Sequence, residues 1–158
     1  MKTPPTGATD IRECVRASLA DMHVRDAKIV VAISGGTDSS ALLLLLSELR
    51  LDAGLHLVAA HFDHQLRDPS EHAADRAFVE QLCSRLHVAI VFGEGDVRAH
   101  AKACGQSIEH AARNLRYEFL RSVASEHGAA LVAVGHTADD QVETIVHRII
   151  RGTGIEGL

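Results

Sequence analysis

Apolar and polar positions follow two alternating patterns along this chain. Short continuous apolar runs, rich in β-branched residues, predict four buried strands, over residues 28–33, 55–62, 88–92 and 130–134. Between them apolar residues recur every three or four positions, which predicts helices over residues 9–23, 38–49, 70–87, 97–104, 107–127 and 138–150. Strands that alternate with helices favour right-handed crossovers and a parallel sheet. We therefore expect one α/β domain over residues 1–158, a doubly wound parallel sheet of at least four strands with helices on both faces.

Composition narrows the range of functions. The 158 residues are 46% hydrophobic and carry a net charge of −5, which argues against a basic nucleic-acid coat and a polybasic membrane binder. No apolar run approaches the length of about 20 residues that a membrane span needs. Three cysteines stand far apart without a Cys-x-x-Cys pair, so neither a zinc ribbon nor an iron–sulfur site is indicated. They suggest reduced thiols and a cytoplasmic protein.

A glycine loop follows the first predicted strand and opens the next helix. Its sequence, Ser-Gly-Gly-Thr-Asp-Ser, is compatible with positive φ angles at both glycines and a close approach of backbone N–H groups to an anion. The start of a helix aims further N–H groups and a positive dipole end at the same point. The loop lacks the Walker A and dinucleotide-binding patterns. A simple tight turn is the alternative to a phosphate site, which would comprise Ser34, Gly35, Gly36, Thr37, Asp38 and Ser39.

Asp38 is unusual in a loop that binds phosphate. A carboxylate beside phosphates is explained if it binds Mg²⁺. It is also explained if Asp38 is the N-cap of the following helix, and both roles are compatible.

Three later stretches also carry candidate chemistry. His61 and His64 in His-Phe-Asp-His-Gln-Leu-Arg have metal-ligand chemistry, but no third ligand lies nearby in sequence, which favours contact with a nucleotide or substrate. Arg113 and Arg116 share a helical face with Glu109, so they form either an exposed ladder of charges or an arginine pair directed at phosphate. The third stretch, Gly-His-Thr-Ala-Asp-Asp-Gln-Val-Glu at residues 135–143, follows the fourth strand. Its carboxylates suit a helix start, a metal ion or a substrate ammonium group.

Together these strings resemble the motifs of the tRNA(Ile)-lysidine synthase family, in order and spacing. That family belongs to the PP-loop ATP pyrophosphatases, which have an adenine nucleotide alpha hydrolase-like fold. The matching motifs are Ser-Gly-Gly-x-Asp-Ser, His-x-x-His-x-Leu-Arg, Glu-x-x-Ala-Arg-x-x-Arg-Tyr, and His-x-x-Asp-Asp-x-x-Glu-Thr followed by Arg-Gly-x-Gly-x-x-Gly-Leu.

The resemblance implies a ligase that consumes ATP with Mg²⁺. Such an enzyme adenylates the wobble cytidine of the isoleucine tRNA with a CAU anticodon and releases pyrophosphate. The ε-amine of free L-lysine then displaces AMP and forms lysidine. No membrane partner is implied, and the oligomeric state stays open, a homodimer being one alternative.

The same resemblance suggests roles for individual residues. The glycine loop would hold the ATP phosphates, and Asp38 would bind Mg²⁺. Asp140 and Glu143, with Asp139 nearby, would hold lysine or a metal, and His136 would make a polar contact or transfer a proton. The choice of general base stays open between Asp38 and Asp140. The remaining candidates for substrate contact are His64, Arg67, Arg113 and Arg116.

Two rival functions remain, a tRNA thiolase with a similar loop and a nucleotide-binding module of the universal-stress type without catalysis. The family continues past the Gly-Leu at the end of this chain and usually carries a carboxy-terminal tRNA-binding region. We therefore expect a truncated product, an excised segment or one half of a split enzyme. Such a chain would retain the nucleotide site and bind tRNA weakly.

Overall fold

The computed structural model describes residues 10–66, 68–138 and 141–148, with side chains given up to Gly135 apart from Pro69. Helices and strands alternate in it as the sequence pattern predicts. The helices are α1 Ile11–Asp21, α2 Thr37–Ala53, α3 Pro69–Leu86, α4 Val97–Cys104 and α5 Ile108–His127. The strands are β1 Lys28–Ala32, β2 His56–Asp63, β3 Ala89–Glu94, β4 Leu131–Ala138 and β5 Gln141–Arg148.

The five strands form one sheet in the order β3-β2-β1-β4-β5. The first four are parallel neighbours, and β5 runs antiparallel to β4. The chain moves outwards from β1 to β2 and β3, then returns to place β4 on the other side of β1. The strand order therefore reverses beside β1, where sheets of this type bind ligands at the carboxyl ends of the strands.

The alternation of side chains along the central strands creates two cores. Ile29 and Val31 of β1 point to one face, where they pack with apolar residues of α1, α2 and α3. Val30 points to the other face, where it packs with Leu120 and Val123 of α5. Because both faces are covered, the strands read as continuous apolar runs. The predicted doubly wound architecture is confirmed.

The prediction of a helix over residues 138–150 is wrong. Residues Gln141–Arg148 form β5, which pairs with β4 through registers such as Val134 with Ile145. The physical reason lies in the sequence Val-Glu-Thr-Ile-Val at residues 142–146, in which four of five side chains are β-branched and favour a strand. The argument that carboxylates here stabilise a helix start does not apply to this structure.

In the described part of the chain, no helix has the length and apolar content that a membrane-spanning segment requires.

Candidate functional site

A cleft of about 280 Å³ opens at the carboxyl ends of β1, β2 and β4. It lies at the point where the strand order reverses, as the topology leads us to expect. Ser34 and Ser39 of the glycine loop (residues 34–39) line one side of it, and the end of β2 with α3 and α5 forms the other. Its polar lining residues are Ser34, Ser39, His61, Asp63, His64, His72, Asp75 and Arg116.

A web of hydrogen bonds between residues close in sequence holds the glycine loop together. Ser39 is buried with 5% of its surface exposed, and its hydroxyl accepts a hydrogen bond from the Ser34 N–H at 3.2 Å. The same hydroxyl donates to the Gly36 carbonyl at 3.1 Å and lies 3.1 Å from the Ser34 hydroxyl. The Gly36 N–H in turn donates to Ser34 Oγ at 3.3 Å. The loop is therefore preorganised by its own serines.

The start of α2 faces this loop without a side-chain cap. Gly36 is the N-cap residue, and as a glycine it supplies no side-chain cap to the first-turn N–H groups. Helix starts of this kind attract anions, because the free N–H groups carry the positive end of the dipole. Asp38 lies exposed in the first turn, so the alternative that it is the N-cap is wrong. Of the two glycines only Gly35 has a positive φ, at +90°.

Gly135 of β4 is a site residue that the sequence argument did not select. A Cβ atom placed on it would lie 3.1 Å from the backbone N and Cα of Ser39 and 3.2 Å from the carbonyl carbon of Asp38. The first turn of α2 therefore sits directly against the backbone of β4. The available signal was a glycine at the end of a predicted strand, which often marks close backbone approach.

Histidines occupy the end of β2. His61 is 7% exposed, and its Nδ1 lies 2.9 Å from the Ile33 carbonyl oxygen. His64 is half-buried beside the ring of Phe62, with ring centroids 5.0 Å apart. Burial lowers the pKa of His64 below its usual 6.5, and the positive charge of Arg116 lowers it further, while Asp63 opposes the change. His64 is therefore neutral at pH 7.

Asp63 ties the end of β2 to α3 and to the following turn. Its Oδ1 lies 2.7 Å from Nδ1 of His72 and accepts a hydrogen bond from the Gln65 N–H at 2.8 Å. Gln65 has a φ of +51°, a conformation that this local hydrogen bond helps to hold. Neither Asp63 nor His72 was among the predicted site residues.

Arg116 is the member of the predicted arginine pair that reaches the cleft. It is half-buried on α5, whereas Arg113 is exposed and does not line the cavity. In the described part of the chain, Nε of Arg116 and Nδ1 of His64 are buried without a hydrogen-bond partner. A buried guanidinium nitrogen without a partner is unfavourable, so Arg116 is a candidate contact for an anionic group in this cleft.

No side chain of the predicted lysine or metal site at residues 136–143 is described, so that site stays a prediction. Arg67, Asp139 and Asp140 lie outside the described residues. The backbones of His136 and Glu143 are paired in register across β4 and β5, and their side chains are not described. Among described residues, no group of three or more His, Cys, Asp and Glu side chains is arranged around a metal position.

Comparison with known proteins agrees with this geometry. A family model described as a PP-loop domain matches residues 8–158. The chain belongs to the PP-loop family. Membership confirms the predicted fold class and explains the position of the glycine loop, which lies between β1 and α2 at the carboxyl edge of the sheet.

The similar PP-loop proteins include tRNA(Ile)-lysidine synthases. The chain is 41% identical to that of Thermotoga maritima over 130 residues, which cover 82% of this chain and 31% of that protein. It is also 41% identical to that of Clostridium perfringens over 131 residues, or 83% of this chain and 28% of that protein. The chain thus spans less than a third of the length of these curated relatives.

A solved structure resembles this one in fold. The U34-tRNA thiolase NcsA from Methanococcus maripaludis, with its [4Fe-4S] cluster, superposes with a TM-score of 0.67 at 20% sequence identity. The match covers 82% of this chain and 45% of the thiolase. At that identity the likeness supports the fold alone.

Proposed function

We propose that this chain provides the ATP-binding part of a tRNA(Ile)-lysidine synthase. In that reaction ATP adenylates the wobble cytidine of the isoleucine tRNA with a CAU anticodon, pyrophosphate leaves, and free L-lysine displaces AMP. The observation that carries the proposal is the cleft itself, in which a helix start with a glycine N-cap and a serine-braced loop lie opposite Arg116, whose buried Nε has no hydrogen-bond partner among the described residues. Similarity to the Thermotoga enzyme supports this particular reaction.

The glycine loop would bind the phosphates of ATP. Ser39 fixes the positions of Ser34 and Gly36, so their N–H groups and those of the first turn of α2 are oriented before ATP arrives. Fixed N–H dipoles stabilise the negative charge that grows as pyrophosphate departs, without a reorganisation cost at that moment. Gly135 makes this arrangement possible by leaving space for α2 against β4.

The opposite wall would bind the part of ATP or tRNA that reacts. Arg116 supplies a permanent positive charge whose Nε has no partner among the described residues, so an anionic group would satisfy it. His64, kept neutral by burial and by Arg116, offers a polar ring without adding charge. Arg67 belongs to the same sequence motif as His64, and its contact with substrate is proposed from that motif alone.

Mg²⁺ fits the oxygen donors beside this loop. Asp38 is an exposed carboxylate in the first turn of α2, the residue before Ser39. Hard cations prefer such oxygen ligands, and Mg²⁺ usually binds through one or two carboxylates together with substrate phosphates. When bound, it would offset the charge of the phosphates.

Lysine binding is assigned to the stretch after β4. Asp139, Asp140 and Glu143 offer carboxylates for the ammonium groups of lysine, and His136 offers a polar contact or a proton-transfer group. The attacking amine must be neutral, so a nearby group accepts its proton. Asp38 and Asp140 stay the two candidates for that base.

The cysteines argue against the thiolase alternative. All three lie in the described part of the chain, and none lines the cleft: Cys14 and Cys104 are exposed, and Cys83 is buried in the core. Burial raises the pKa of the Cys83 thiol to about 11, so it stays protonated at pH 7. A nucleotide-binding module without catalysis would not need the Asp139 to Glu143 stretch.

The proposed reaction is tested by following both lysine and ATP. The 158-residue chain is incubated with Mg-ATP, labelled lysine and unfractionated bacterial tRNA, and label is counted in acid-precipitated RNA. We expect label in RNA together with AMP and pyrophosphate. Release of ADP and phosphate, or a folded chain that binds no ATP, would contradict the proposal. Absence of label from a chain that binds ATP would show that lysine transfer needs more of the enzyme than this segment.

The lysine site is tested by Asp140→Asn. We expect this variant to lose lysine transfer and to keep its circular dichroism spectrum, because the substitution removes charge at nearly constant size. Glu126→Gln, at an exposed carboxylate near the end of α5, is the matched control and should keep transfer. Full transfer by Asp140→Asn would remove Asp140 from the mechanism.

A further inference from the structure

Two polar side chains are buried in the part of the chain for which side chains are described, and both contact the glycine loop or the residue before it. Ser39 is 5% exposed and His61 is 7% exposed. Ser39 braces the loop from within α2, through Ser34 and Gly36. His61 belongs to β2 and reaches across to Ile33, the residue immediately before the loop. The reaction proposed above gives His61 no role.

The contact of His61 defines its protonation pattern. Nδ1 lies 2.9 Å from the Ile33 carbonyl oxygen, which can only accept a hydrogen bond. Nδ1 therefore carries hydrogen and donates it. The Ile33 N–H also donates to the Ala60 carbonyl at 2.9 Å, so both backbone groups of Ile33 are held by β2. The backbone therefore enters the glycine loop from Ile33, a residue whose N–H and carbonyl are both bonded to β2.

The His61 ring is itself held in place. It meets the ring of Phe92 edge to face, with centroids 5.7 Å apart and planes inclined at 66°. The guanidinium carbon of Arg76 lies 3.9 Å from the centroid of the Phe92 ring. Aromatic and cation–π contacts of this kind restrict ring rotation. A ring so placed keeps Nδ1 aimed at Ile33.

We propose that His61 is a positioning residue that sets the backbone of the glycine loop for binding ATP phosphates. This inference rests on the function proposed above, because it assumes that the glycine loop binds the phosphates of ATP. A metal-ligand role for His61 through Nδ1 is disfavoured, because this nitrogen is engaged with a carbonyl in a buried position.

Two substitutions separate the hydrogen bond from the ring. In His61→Asn the side-chain NH₂ stands the same number of bonds from Cβ as Nδ1, so the donor to Ile33 is retained. In His61→Gln the NH₂ stands one bond further out and the donor is misplaced. His56→Gln, at the exposed start of β2, serves as control.

Loop order is measured by hydrogen exchange of a peptide that covers residues 34–39, and ATP affinity by calorimetry with Mg-ATP. We expect His61→Gln to exchange faster in this peptide and to bind ATP about tenfold more weakly, the effect of losing roughly one net hydrogen bond. His61→Asn should restore both quantities to within about threefold of the wild-type chain. Thermal unfolding identifies any variant that has lost its fold.

Equal exchange of the loop peptide in all folded variants would overturn the role of His61. So would equal loosening by Asn and Gln, because the ring and not the Nδ1 donor would then matter. If the folded wild-type chain binds no ATP, the proposed function fails. The exchange rates still decide whether His61 positions the loop.

Discussion

At the scale of single residues, Ser39 has the largest influence on the conformation of the glycine loop. Its buried hydroxyl contacts Ser34 and Gly36 together. We expect Ser39→Ala to lower the free energy of unfolding by about 1 kcal/mol, the net value of a typical hydrogen bond, because the Ser34 N–H loses its acceptor while the Gly36 carbonyl keeps its bonds from Ser40. ATP affinity should also fall. Urea unfolding measures the change in stability, and calorimetry measures the change in affinity.

Ser47 provides the matched control on the same helix. Its hydroxyl is buried without a hydrogen-bond partner in the described structure, so Ser47→Ala removes an unfavourable group. We expect stability to be unchanged or higher and ATP affinity to be retained. Equal losses of ATP affinity in the two serine variants would show that the hydroxyl web of Ser39 has no special role.

His64 makes stability depend on pH. Because burial and Arg116 lower its pKa from 6.5, the unfolded chain takes up a proton below pH 6.5 that the folded protein does not. The free energy of unfolding should therefore fall as pH decreases from 6.5 to the lowered pKa. His64→Asn should reduce the difference between urea unfolding at about pH 7.5 and about pH 5.5. His110→Asn, at an exposed position of α5, should leave the difference in place.

Sequence reasoning identified the residues of the glycine loop but not the contacts that support it, and it singled out His61 for contact with a nucleotide or substrate instead. The string from Ser34 to Ser39 has a local signature, because glycines, serines and a helix start are adjacent in the chain. His61, Asp63 and Gly135 act on partners that are distant in sequence or lie on another element. Such partners depend on strand order and register, which a single sequence does not specify.

At the scale of elements, the site depends on how closely α2 approaches β4. Gly135→Ala would place a methyl group 3.1 Å from the backbone of Ser39, which cannot move without shifting the first turn of α2. We expect a loss of about 1–3 kcal/mol in the free energy of unfolding and a clear loss of ATP affinity.

Gly105→Ala controls for stability alone. Gly105 ends α4 with a φ of +64°, and a Cβ atom there would meet nothing within 4 Å. The backbone strain should lower stability by about 1 kcal/mol and leave ATP affinity unchanged. If Gly135→Ala behaved in the same way, the close approach of α2 and β4 would not matter for binding.

The element pattern explains which predictions succeeded. Four parallel strands were predicted to within a few residues, because strands covered on both faces are continuous apolar runs. In the segment after β4, the spacing of the charged residues favours a helix, whereas the β-branched residues favour a strand. The local signals therefore conflict. In the structure the edge of β4 is paired by Gln141–Arg148, and this tertiary pairing decided in favour of the strand.

At the scale of the whole molecule, the strand order brings the separate motifs to one cleft. Because β4 returns beside β1, Gly135 meets the start of α2, and α5 carries Arg116 to the same opening. The alternation of strands and helices predicted this class of architecture. The particular order β3-β2-β1-β4 could not be predicted from the sequence. Nor could the sequence show that Arg116 lines the cleft and Arg113 does not.

The central claim is that ATP binds in this cleft with its phosphates on the glycine loop. The most direct test is to titrate Mg-ATP into the ¹⁵N-labelled 158-residue chain and to map the shifts of its backbone amide signals. We predict the largest shifts at residues 34–40, with further shifts at residues 61–64 and at Arg116. A folded chain whose signals stay unchanged, or shift only at a surface away from the cleft, would contradict the account.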